Sequence, residues 1–312
     1  MSTAADAASF TNLAISSGFL ARRRWIDWTM RIILFMAAAL SVFITLAIVY
    51  ILISESWVFF ENVSLVEFLT GTMWTPLFTN AQFGILPLLV ATLIVAGIAL
   101  LVAIPLGTIL AIYLSEYSPV WLREFIKPFL ELLEGVPTVV YGYFALLFVT
   151  PLLEKFIPGL SGFNMLAPGL VMGIMILPYV ASVSEDAMRA VPNELREGAY
   201  GLGMSRMQTA FKVIVPGAFS GITSAYILGM SRAVGETMVV AIAAGQNPML
   251  TFDPTESAAT ITAFIVQVSM GDAAHGSIAY QSIFAAGSVL FLITLVFNVI
   301  GFFLRKRFRE AY

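Results

Sequence analysis

From Ile32 to Ile53, and again from Ile85 to Leu114, the chain carries no charged residue. Both runs reach the ~20 residues a helix needs to cross hydrocarbon. The first also exceeds the roughly 7–15 of a signal-peptide core, so it is expected to stay as a membrane helix. Lipid offers no hydrogen bonds, and a segment inside it must satisfy its own backbone, as a helix does. Further apolar runs at about 129–150, 165–184, 217–244 and 282–304 predict four more spans. Hydrophobic residues make up 59% of the chain and charged ones 11%, against roughly 45–50% and 25% in soluble domains. The expected fold is an all-α membrane protein with six transmembrane helices.

The 16 basic residues test that count. Arg22, Arg23, Arg24 and Arg31 precede the first span. Arg123 and Lys127 fall between the second and third, and Arg189, Arg196, Arg206 and Lys212 between the fourth and fifth. Arg305, Lys306, Arg307 and Arg309 follow the sixth. The opposite loops hold only Lys155, and Arg232 lies within a span. Six helices with both termini cytoplasmic give this segregation. Residues 1–31 read as a cytoplasmic N-terminal segment, polar and unpatterned up to residue 21, and 32–312 as one transmembrane domain with its core at 85–304.

What is missing narrows the chemistry. No cysteine is present, which removes disulfides and thiolate ligands, and a lone His275 is read as a polar loop residue. No Gly-Lys-Ser/Thr phosphate loop occurs, so the chain has no ATPase site of that type. The net charge of −3 argues against a nucleic-acid partner. No cofactor is expected. The moderately apolar Ala258–Val268 is too short to span but able to lie against the membrane face.

The polar loop AMRAVPNELREGAYGLGMSRMQTAFKVIVP, Ala187 to Pro216, stands out between two spans. Pro192 and Asn193 open a short helix whose first turns hold Glu194 and Glu197, where the helix dipole favours carboxylates. Gly203 can end it with positive φ. Ser205 then opens another, with Gln208 at capping-box spacing. Spacing alone fits a docking surface and a plain connector equally well.

Two charges, Arg232 and Glu236, lie in SRAVGETMVV inside the fifth span. Each costs about 2.5–3.5 kcal/mol at that depth, so both should face protein or water. Four residues apart on one helix, they can partly neutralise each other. They read either as an ion pair locking helix packing or as part of an anion pathway, where an arginine fork suits oxyanions. Glu134 precedes a Gly-Val-Pro break in the third span and is the better lumen candidate beside Glu131. Tyr141 could line a polar path or pack as an aromatic. Glu185 and Asp186 are expected to be interfacial.

Several motifs resemble one family. Glu197-Gly198-Ala199, then Gly203, then Val213, Val215 and Pro216 match in spacing the EAA loop of ABC-importer permeases, with Gly198 replacing the first alanine. GVPTVVYG and RAVGETM resemble the Pro-Ser-Val-Val-Tyr-Gly and Arg-Ala-x-Gly-Glu-Thr motifs of phosphate-specific permeases, with Thr138 in place of serine. Tyr141, Met238 and QSIFAAGSVLFLITLVFNVIG are closer to the PstC-type subunit. The resemblance covers about Leu86 to the end.

It implies a type I importer permease fold with a cytoplasmic coupling helix in the bacterial inner membrane. Its implied partners are a PstA-type second permease, a PstB-type ATPase dimer and an extracytoplasmic phosphate-binding protein. Glu194, Glu197, Ala199 and Gly203 would couple to the ATPase. Arg232, Glu236, Glu134, Thr138 and Tyr141 would line the phosphate path. On mechanistic grounds Glu236, alone or together with Glu134, is expected to pair Arg232 when no anion is present, so that the ion exchanges and is not trapped. The rival expectation is an ion-coupled secondary transporter or channel using Glu134 and Glu236 as proton carriers; no nucleophile motif or metal spacing supports a membrane-embedded enzyme.

Overall fold

The computed structural model describes residues 17–271 and 273–307. The polar segment 1–16 and Arg309 lie outside them. The chain divides after Ser54. The first unit is the opening part of helix α1 (Ser17–Asn62), which is long and apolar enough to cross a membrane. Its apolar side chains, Phe35, Phe43 and Tyr50 among them, are exposed. That is what a lipid-facing span requires.

The second unit follows with α2 (Leu65–Thr70), α3 (Leu86–Ile112), α4 (Val120–Glu134), α5 (Thr138–Phe144) and α6 (Thr150–Glu154). Then come α7 (Leu166–Arg189), α8 (Asn193–Gly201), α9 (Arg206–Thr209), α10 (Val215–Gly217) and α11 (Phe219–Gly235). Last are α12 (Met238–Ala243), α13 (Ile261–Ser269) and α14 (Ile278–Arg307). Single π-turns extend α3, join α5 to α6 and join α9 to α10. Among the described residues, four helices are long and apolar enough to cross a membrane, or six if each of two bent pairs is one span. The bends are 85° between the α4 and α5–α6 segments and 72° between α9–α10 and α11.

The first bend has a local cause. Pro137 has no N–H and pushes Val136 out of helical geometry, which separates α4 from α5. The segment expected as a loop, Ser115–Pro128, is therefore mostly α4. That helix buries Leu130 and exposes Trp121, Phe125 and Phe129.

Helices α3 and α7 pack along each other through small residues. A Cβ built on Gly173 would stand 2.7 Å from Val102 Cβ and 2.8 Å from the Ala99 carbonyl. Small residues let membrane helices approach this closely and replace a hydrophobic drive that lipid does not supply. A backbone carbonyl cannot rotate away. Gly173→Leu is expected to destabilise the chain by about 2 kcal/mol or more, read as a lower thermal midpoint in detergent.

Where α3 and α14 begin, Phe59, Phe68, Trp74, Phe83 and Phe264 meet edge to face, with Trp74 to Phe264 at 5.0 Å. This cluster takes in part of Ala258–Val268. Its helix α13 buries Ile261, Phe264 and Val268 in the protein core. Nearby, Thr255 donates to Asp253 Oδ1 from both its N–H and its hydroxyl, at 2.9 and 2.6 Å. These bonds hold the Asp253 carboxyl below the usual carboxylate range. The adjoining Pro254 carbonyl accepts from Met165 N, just before α7. One pole thus carries the starts of α3, α7 and α14, and the other carries α8 and α9.

Candidate functional site

The charged site forms at two helix breaks. Arg232 lies in the last turn of α11, where the helix dipole favours a cation. Its Nη1 donates to Glu134 Oε1 at 2.9 Å. Glu134 ends α4, immediately before the Gly135–Pro137 break. Side-chain exposure is 32% for Arg232 and 35% for Glu134, so the pair is neither sealed in dry packing nor fully hydrated.

Tyr141 is buried and sets the break. Its hydroxyl donates to the Leu133 carbonyl at 2.7 Å, closing α5 back onto the end of α4 beside Glu134. Thr138 opens α5, half-buried, four positions beyond Glu134. Gly142 lets α12 pack close, since a Cβ there would meet Ile242 Cδ1 at 2.9 Å. Tyr179 on α7, half-buried, lies within Coulombic range of both Arg232 and Glu134. Nothing in its local sequence marked it.

Glu236 does not pair Arg232, contrary to expectation. The fifth span is not one helix: Glu236 is extended (φ −66°, ψ 135°), so the four-residue face ends at Gly235. Its Oε1 instead accepts from Met238 N at 3.1 Å and Val239 N at 3.3 Å, satisfying orphan donors at the start of α12. Thr262 of α13 donates to the Glu236 carbonyl at 2.7 Å. Glu236 holds the break; Glu134 holds the arginine.

At the other pole, α8 follows Pro192 and displays Glu194 and Glu197 to solvent, while Ala199 is buried. The helix ends as a Schellman motif: Met204 N donates to Ala199 O at 3.1 Å and Gly203 N to Tyr200 O at 2.9 Å, with Gly203 at φ +81°. Ser205 and Gln208 form the expected capping box.

What seats α8 is Arg196. Its guanidinium bonds Glu116 Oε1 at 3.1 Å, the Met188 carbonyl at 2.8 Å and the Val191 carbonyl at 2.6 Å. It therefore fastens α8 to the ends of both α3 and α7. Glu185, expected at the interface, is fully buried. Lys127 Nζ lies 2.5 Å from Glu185 Oε2 and 2.7 Å from Asp186 Oδ1, tying α4 to α7. Pairing is what makes burial of that carboxylate tolerable.

Residues 103–310 match the family model described as binding-protein-dependent transport system inner membrane component. The chain is 37% identical over 247 residues to a Bacillus subtilis protein named probable ABC transporter permease protein YqgH, covering 79% of this chain and 80% of that one. It is 34% identical over 288 residues to the Haemophilus influenzae phosphate transport system permease protein PstC, covering 84% and 88%. Among solved structures, a chain of a bacterial ABC transporter involved in importing the acidic polysaccharide alginate superposes with a TM-score of 0.63. That match covers 92% of this chain and 100% of the other at 16% identity, which is a likeness of fold.

Proposed function

The chain belongs to the family of binding-protein-dependent transport system inner membrane components, and from that membership we propose that it is one of two permease subunits of an ATP-driven inorganic phosphate importer. The proposed partners are a second permease, an ATPase dimer and an extracytoplasmic phosphate-binding protein. The α8–α9 pole and both termini lie in the cytoplasm, and the Trp74–α13 pole receives the binding protein. Relatives named as phosphate permeases support the substrate.

The observation that carries the reading is the partly open Arg232–Glu134 pair at the break between α4 and α5. A guanidinium there offers bidentate donors to a phosphate that has shed its water. Glu134 competes for the same donors, so the anion exchanges and is not trapped, and transport needs an ion that leaves as well as enters. Tyr141 positions Glu134 through Leu133, and Thr138 offers a hydroxyl beyond the break. Glu194 and Glu197 face the ATPase, while Ala199 and Gly203 shape the docking helix. Closure of the ATPase dimer pulls on α8, Arg196 carries the pull to α3 and α7, and the helices rock as rigid bodies.

Copurification tests the assignment. A tagged chain is expected to bring down an ATPase whose turnover rises with phosphate-loaded binding protein and not with sulfate. Recovery of the chain without any ATPase would contradict it.

A further inference from the structure

At the α8 pole a cavity of about 700 Å³ lies between the end of α3, the start of α4, the end of α7 and α8. Arg123 of α4, Arg189 of α7, Arg196 of α8 and Arg206 of α9 all line it, and Glu116 is the one carboxylate. Glu116 is already engaged, by Arg196 and by the Ser115 hydroxyl at 2.9 Å. Arg189 is 3.7 Å from the buried Glu185. Among the described residues no salt bridge reaches Arg123 or Arg206. Four helices thus bring guanidiniums to one polar hollow, and among the described residues two of the four, Arg123 and Arg206, have no carboxylate partner.

Like charges gathered this way repel one another unless an anion joins them. Arginine forks match phosphate oxygens bidentately, and the volume falls within the usual range of roughly 300–1,000 Å³ for small-molecule sites. We infer that this cavity binds a phosphate group on the cytoplasmic side, separate from the Arg232 path, with which it shares no residue. The cytoplasmic placement rests on the proposed function. The phosphate comes either from free inorganic phosphate or from an anionic lipid headgroup. Because Arg196 both lines the cavity and seats α8, occupancy and the seating of the docking helix are thermodynamically linked.

The test uses the purified complex with its ATPase, without nucleotide or binding protein, in a Arg232→Gln background that removes the path arginine. In phosphatidylcholine nanodiscs, labelled inorganic phosphate is expected to bind and to raise the thermal midpoint. Arg123→Gln/Arg206→Gln should weaken that binding at least tenfold, and Arg123→Lys/Arg206→Lys should retain most of it. In phosphatidylglycerol nanodiscs, native mass spectrometry counts retained lipid. Loss of a retained phosphatidylglycerol in the glutamine variant, with no free-phosphate binding, supports the lipid source. If neither ligand distinguishes the glutamine variant from its parent, the inference is wrong. Loss of the ATPase from that variant, with no anion bound by the parent, would assign the cavity to ATPase docking and overturn it as well. Binding here needs no transport, so phosphate bound in this background, together with a parent complex that keeps Arg232 and still fails to import phosphate, would sink the proposed function alone.

Discussion

Arg232→Gln is expected to lower phosphate uptake at least about a hundredfold while the chain still inserts and copurifies with its ATPase. Glutamine keeps a donor and much of the length but not the charge. A charge-assisted hydrogen bond is stronger than a neutral one, about 1.5–3 kcal/mol, and a dianion in a poorly hydrated path depends on it. Three kcal/mol corresponds to roughly a hundredfold. Assembly is spared because Glu134, its partner, is about one-third open and can hydrate. Glu134→Gln should act in the opposite sense on binding. With its competitor gone, Arg232 holds the anion longer, so KM for uptake falls and the maximal rate falls about tenfold. Initial-rate uptake across a range of phosphate concentrations separates the two variants; a Glu134→Gln protein with wild-type KM and rate would remove Glu134 from the mechanism.

The second large effect is expected at Arg196→Leu. That guanidinium satisfies Glu116 and two helix-end carbonyls together, and the side chains of Arg196 and Glu116 are only 15% and 4% exposed. Removing it leaves a buried carboxylate without its cation, a change that costs about 3 kcal/mol or more. The loss falls on the seat of α8 and not on the membrane core. The ATPase should therefore wash off during purification while the chain remains in the membrane. Arg196→Lys keeps the charge without the fork and should retain part of the ATPase. Full retention in Arg196→Leu would mean that α8 is held by other contacts.

The sequence made the spans legible because lipid imposes one rule along each whole run, and charge-free stretches obey it visibly. The Gly135–Pro137 break and the Gly203 stop were equally plain, since proline and glycine act on the local backbone. Glu236 was misread for an identifiable reason. Placing it beside Arg232 assumed an unbroken helix, and no proline warned that the helix breaks at Glu236, which is extended. Pairings distant in sequence were hidden: Glu134 and Arg232 are 98 positions apart, and Glu116 and Arg196 are 80 apart. Each of these side chains looks alone in its own segment. The fate of α13 was undecidable locally, because an apolar helix of that length reads the same against lipid as against Trp74. Glu185 looked interfacial because its nearest cation, Lys127, lies on another helix.

The most direct measurement is phosphate accumulation in proteoliposomes holding the full complex, with ATP supplied at the face that carries α8. The account predicts accumulation that needs ATP and binding protein, stops with Arg232→Gln, and does not respond to an imposed proton gradient. Accumulation driven by the gradient without ATP, or undiminished in Arg232→Gln, would contradict it.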